Sequence, residues 1–121
     1  MKIQSYKDLM VWQKSVELAT LIYTLTSTFP KSEVFGLTSQ MRRAAVSIPS
    51  NIAEGYARKH RAEYIQFVRM AYGSGAELET QLILAQRLKI AKEGDIKSSD
   101  APLQEVMKML NGLLSSLNPI R

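Results

Sequence analysis

Apolar residues recur three and four positions apart along almost the whole chain of 121 residues and hardly ever alternate. That spacing repeats once per helical turn, so it builds α-helices and leaves little from which a sheet could form. Prolines and glycines divide the pattern into four stretches. The first predicted helix covers about residues 6–29: Ser5 and Asp8 make a capping-box-like start, and Pro30 stops it. The second covers about 36–57 and the third about 61–90, after which Lys92, Glu93, Gly94 and Asp95 read as a turn. The fourth covers about 101–117, with Ser99 or Asp100 as N-cap and Pro102 in the first turn, where its missing N–H is harmless. Residues 118–121 are expected to fray. Such short links make successive helices antiparallel neighbours. The expected fold is all-α, an antiparallel up-down-up-down four-helix bundle, in a single domain over residues 1–121.

Each helix must offer the core a stripe. In the first the stripe is read as Leu9, Trp12, Val16, Ala19 and Tyr23, and in the second as Leu37, Met41, Ala44, Ala45, Ile48, Ile52 and Tyr56. The third offers Tyr64, Phe67, Val68, Ala71, Gly75, Leu78, Leu82 and Ala85; the fourth offers Leu103, Val106, Met107, Leu110, Leu114 and Leu117. The first helix carries a second apolar face, Val11, Leu18, Ile22, Leu25 and Phe29, turned roughly 110° from the first at about 100° per residue. So wide an apolar arc is costly to leave in water, and the second face is read as an oligomer interface. Cover by the opposite helix or the C-terminal tail is the alternative.

With no cysteine, neither disulfides nor thiolate ligands are available, and a reducing compartment fits best. The N-terminus lacks a signal-peptide core, and no run reaches the roughly 18 apolar residues of a spanning helix, so a cytoplasmic protein without membrane association is expected. The single histidine, His60, lies between Lys59 and Arg61 in a predicted turn. No Glu-x-x-His pair, glycine-rich phosphate loop or nucleophile motif occurs. Neither enzyme activity nor a cofactor or metal is expected.

Charge is concentrated. Residues 40–70 hold six basic side chains (Arg42, Arg43, Arg58, Lys59, Arg61, Arg69) against two acidic ones (Glu54, Glu63), which is four of the chain's net +5. Basic residues so grouped suit phosphate contacts, although a solvated basic face is the plainer alternative and the two helices could divide the group. Glu54 can pair with Arg58 at i,i+4 for only a few tenths of a kcal/mol.

Two local contradictions need compensation. Pro49 removes the hydrogen bond to the Ala45 carbonyl and should kink the second helix, with Ser47, Ser50 and Asn51 placed to satisfy freed backbone groups. Gly73 and Gly75 sit inside the third helix at about 1 kcal/mol each relative to alanine, which close packing of a facing helix would offset.

The stretch LTSQ-x-RRAA-x-SIPSNIAEG, residues 37–55, resembles the bacterial four-helix-bundle proteins encoded within intervening sequences of 23S ribosomal RNA genes. The resemblance extends to Leu9, Val11 to Lys14 and Leu18, to Phe29, Pro30 and Glu33, and to Arg58, Ala71, Gly73, Ser74, Glu77 to Leu82 and Leu113. Within it Pro49, Asn51, Glu54, Gly55, Gly73 and Ser74 read as structural positions. It implies a four-helix bundle assembling as a homopentamer, similar also to the basic pentameric accessory protein of diversity-generating retroelements, which binds nucleic acid and a reverse transcriptase. His60 stands where the family often has serine or threonine, and Gly75 where it more often has a larger apolar residue.

The functional expectation is a non-enzymatic oligomer that binds RNA or DNA through backbone phosphates at Arg42, Arg43, Arg58, Lys59, Arg61 and Arg69. The alternative is a scaffold or accessory subunit for a protein partner such as a reverse transcriptase.

Overall fold

The computed structural model describes residues 2–118. Four helices account for most of them: α1 Met10–Thr26, α2 Leu37–Ala57, α3 Arg61–Arg87 and α4 Glu93–Leu117. Among the described residues there is no strand. α2 packs on α1 and α3, and α4 on α3 and α1, with no direct packing across either diagonal. Along α2 and α3 the partners run in opposite order. Ser47 meets Ser74, Gly55 lies against Phe67, and Arg58 reaches Glu63. The same inversion relates α3 to α4, where Tyr72 bonds Asn111 and Glu79 bonds Gln104. These contacts are those of a bundle whose consecutive helices are antiparallel.

The core is aliphatic. Met41, Ala45, Ile48 and Ile52 of α2, Val68, Ala71, Leu78, Leu82 and Ala85 of α3, and Leu103, Val106 and Leu110 of α4 are buried where their stripes place them. α1 is the exception. Its buried face is Val11, Leu18, Ile22 and Leu25, continued by Phe29, all at or below 8% exposure. These five residues, expected to meet a second copy, are instead the chain's own core. The stripe expected inside faces outward: Val16 and Tyr23 are 36% and 44% exposed, with Leu9, Trp12 and Ala19 half-buried. Leucine, isoleucine and valine carry no polar atom to satisfy, whereas the Trp12 and Tyr23 rings each carry a polar group that favours the water boundary.

Three boundaries differ from expectation. The capping box at Ser5 and Asp8 forms, but on a single 3-10 turn over Tyr6–Asp8. Leu9 is extended, and α1 starts afresh at Met10. α1 ends at Thr26, and the chain reaches α2 through a second 3-10 turn, Lys31–Glu33. α4 starts eight residues earlier than predicted, so the expected turn at 92–95 is its first turn and Pro102 lies in its interior. Ile96 and Ser99, both buried, extend the Leu103 stripe toward the N-terminus and supply the packing that offsets Gly94 and Pro102. Of the predicted tail, residues 119–121 lie outside the described residues.

α2 continues as a helix through Pro49. The Asn51 amide donates to both the Ser47 carbonyl and the Ser47 hydroxyl at 2.8 Å, and that hydroxyl lies 2.8 Å from Ser74 Oγ on α3. The polar residues around the proline thus join α2 to α3. A Cβ on Gly55 would fall 2.6 Å from Phe67 Cβ, so this glycine sets how closely the two helices approach. Gly75 serves the α3–α4 seam: the Met107 sulfur occupies the space its Cβ would take. Gly73 faces open space, so close packing does not account for it.

Candidate nucleic-acid interface

The six basic residues do not form one patch. Arg42 and Arg43 stand near the start of α2, Arg58, Lys59 and Arg61 at the α2–α3 turn, and Arg69 on α3 beside Asn111 and Leu114 of α4. At 1.5 Å per residue, the turn lies about 24 Å along α2 from Arg43.

Three of the six have structural duties. Arg42 Nε donates to Thr26 Oγ1 at 2.8 Å and a terminal nitrogen donates to the Tyr23 carbonyl at 3.4 Å, while the guanidinium sits 4.5 Å above the Tyr23 ring. A cation thus rests on the last turn of α1, bonded to one carbonyl and one hydroxyl where the helix dipole is negative. Arg61 does the same for α4, donating from Nε to the Leu117 carbonyl at 2.6 Å. Arg58 is held by Glu54 at 3.0 Å and Glu63 at 3.1 Å, with Phe67 beneath it at 5.1 Å. The Glu54 hydrogen bond first, then the charges of both glutamates, push the Arg58 pKa up. The Glu54 pair is the one its i,i+4 spacing suggested, and Glu63 is a second partner that spacing did not reveal.

That arrangement engages both acidic residues of the segment with one arginine. His60 Nδ1 lies 3.7 Å from Glu63 as well. Arg43, Lys59 and Arg69 are exposed and have no carboxylate partner among the described residues.

Lys59 has a further peculiarity, a φ of 55° in the left-handed region. It follows the C-cap of α2 and its N–H donates to the Tyr56 carbonyl at 3.2 Å, so the chain turns sharply there and His60 becomes the N-cap of α3 without a side-chain cap bond. Behind the turn lies a cleft of about 450 Å³ whose walls include Tyr56, Lys59, His60, Arg61 and Tyr64. The two tyrosine rings meet edge to face at 5.8 Å. Burial first, and the Tyr56 phenol second, raise the Tyr64 pKa above its ordinary value of about 10, so at neutral pH the phenol is an uncharged donor. Charge counting along the chain missed both tyrosines, because one was assigned to each helix's core stripe; their shared signal was position, each within a turn of the basic link.

Among the described residues, no group of three His, Asp or Glu side chains could hold a metal ion, and no helix is long and apolar enough to cross a membrane. What the molecule presents is a four-helix bundle in which Lys59, Arg61 and Arg69, at or near the α2–α3 turn, have no carboxylate partner among the described residues. The chain belongs to the 23S rRNA-intervening sequence protein family, whose model matches residues 7–112. A solved structure from the S23 ribosomal protein family of Bacteroides thetaiotaomicron VPI-5482, a protein of unknown function, is similar with a TM-score of 0.81 and 26% identity. The similarity covers 87% of this chain and 98% of that one. No curated protein matches.

Proposed function

We propose that this protein binds nucleic acid through backbone phosphates, chiefly at the end of the bundle formed by the α2–α3 turn. The observation that carries this reading is the engagement of Glu54 and Glu63 with Arg58, which leaves Lys59, Arg61 and Arg69 without a carboxylate ion-pair partner among the described residues. Arg61 spends only Nε on Leu117, so the donors of its terminal nitrogens are left for a phosphate. Arg43 is a separate and weaker contact on the α1–α2 side. The reading involves no catalysis, and a cytoplasmic setting agrees with the cysteine-free composition.

Three neutralised phosphates give a log K against log salt slope of about −3 on duplex DNA. Binding measured by gel shift across a salt series should show it, with affinity indifferent to salt sinking the proposal. Replacing Lys59 and Arg69 with Glu should weaken binding at least tenfold, and Arg43→Glu should weaken it less. The reverse order would move the interface to the α1–α2 face.

Phe35, 95% exposed beside the half-exposed Val34, favours a second reading in which the bundle also docks a polypeptide such as a reverse transcriptase. Retention of a partner by the wild type and by Phe35→Ser alike would count against it.

A further inference from the structure

We propose that the cleft behind the α2–α3 turn holds one unpaired nucleotide, its base against the tyrosines and its phosphate on Lys59 and Arg61. The inference rests on the nucleic-acid reading above and narrows it from a charged surface to a site. Phosphate attraction alone would need only cations on a convex end. Here the cations rim a concavity whose remaining lining joins Tyr56 and Tyr64 to Ile3, Gln4 and Leu117, and about 450 Å³ is within the range of small-ligand pockets.

The wall is built by packing. Gly55 allows Tyr64 to lean across α2, where its Cδ1 comes within 3.2 Å of the position a Cβ would take, and Tyr56 braces it edge-on. The rim is built by backbone: the left-handed turn at Lys59 puts three consecutive side chains, Lys59, His60 and Arg61, on the same cleft. Arg61 is fixed in place by the Leu117 carbonyl. Aromatic rings stack on any base whose face is free, and a base inside a duplex has no free face, so the occupant is a nucleotide of a single strand or a loose end, or a free nucleotide.

The test compares a labelled single-stranded oligonucleotide with a duplex of the same sequence by fluorescence anisotropy, with adenosine monophosphate, adenosine and inorganic phosphate as competitors. The single strand should bind roughly tenfold more tightly than the duplex. Adenosine monophosphate should compete better than adenosine or phosphate. Lys59→Gly removes the cation at a backbone position that favours glycine, so the fold is retained; it should lower single-strand affinity about fivefold, whereas Lys89→Gly, the same change at the other positive-φ lysine, should not. Tyr64→Leu keeps apolar bulk but loses the stacking face and should lower affinity roughly tenfold or more. Equal binding of strand and duplex, with Tyr64→Leu unchanged and Lys59→Gly lowering both alike, overturns the cleft while leaving salt-dependent backbone binding intact. Adenosine monophosphate binding that these two variants abolish, with no strand bound at any salt, overturns the nucleic-acid reading and supports the cleft with a free nucleotide as its occupant.

Discussion

A missing Cβ decides how closely α3 lies on α2. At Gly55 the atom would collide with Phe67 Cβ, which cannot swing away because it is the root of its own side chain. Gly55→Ala therefore gains up to about 1 kcal/mol of helix propensity but must separate two helices, and overpacking costs about 1–3 kcal/mol. The net expectation is destabilisation by about 1–2 kcal/mol. Gly73 has nothing within 4 Å of its Cβ position, so Gly73→Ala should stabilise by about 0.5–1 kcal/mol. Urea unfolding of the two variants should move the midpoint in opposite directions. A shift of the same sign in both would contradict the packing described for α2 and α3. The sequence marked both positions but could not distinguish them, because what separates them is the neighbour across the seam.

At the level of whole helices, Arg42 and Arg61 repeat one device at opposite ends of the bundle, a guanidinium from one helix bonded to a carbonyl in the last turn of another. Arg42→Met keeps the stem and removes the hydrogen bonds and the cation over Tyr23. For a half-buried arginine, loss of about 1–2 kcal/mol is expected from these together. Calorimetry should show the lowered transition, while nucleic-acid affinity changes little. A strong loss of affinity in a folded Arg42→Met protein would return Arg42 to the interface. Sequence reading gave all four helices and three of the four core stripes, because α2, α3 and α4 each have a single apolar face. It failed on α1, where two apolar faces compete and hydropathy cannot rank them; Trp12 and Tyr23 on one face, against purely aliphatic Leu18, Ile22 and Leu25 on the other, were the discriminating signal. It also shortened α4, since the residues from Gly94 to Pro102 are poor helix formers and only Ile96, Ser99 and Leu103, recurring at three and four, reveal the stripe that holds them helical. The candidate site was half legible: its charges stand in the sequence, but their pairing depends on which carboxylates α3 brings to Arg58.

Across the whole molecule, the reversal of α1 moves the assembly question to a different surface without closing it. The core is complete within one chain, so a folded monomer is physically possible, yet Val16, Tyr23 and the half-buried Trp12 leave an apolar strip along α1 beside Val46 of α2. We propose that copies of the chain meet along this strip. Light scattering at micromolar concentration should give an assembly, and a monomer would overturn the proposal. Val16→Glu puts a charge in the middle of the strip without touching the core, so the assembly should dissociate while the unfolding free energy of the separated chain changes by no more than about 0.5 kcal/mol. Val11→Glu should instead unfold the protein, because that side chain is 6% exposed and a carboxylate there has no partner. Were Val11→Glu to yield a folded monomer and Val16→Glu an intact assembly, the two faces of α1 would have to be exchanged. Dissociation bears on binding as well. Each copy in an assembly repeats the cationic end at Lys59, Arg61 and Arg69, so the assembly reaches more phosphates than one chain and its affinity for a long strand exceeds the monomer's by avidity. The Val16→Glu monomer should accordingly keep its affinity for a short oligonucleotide and lose at least tenfold on a long one, with a shallower salt slope.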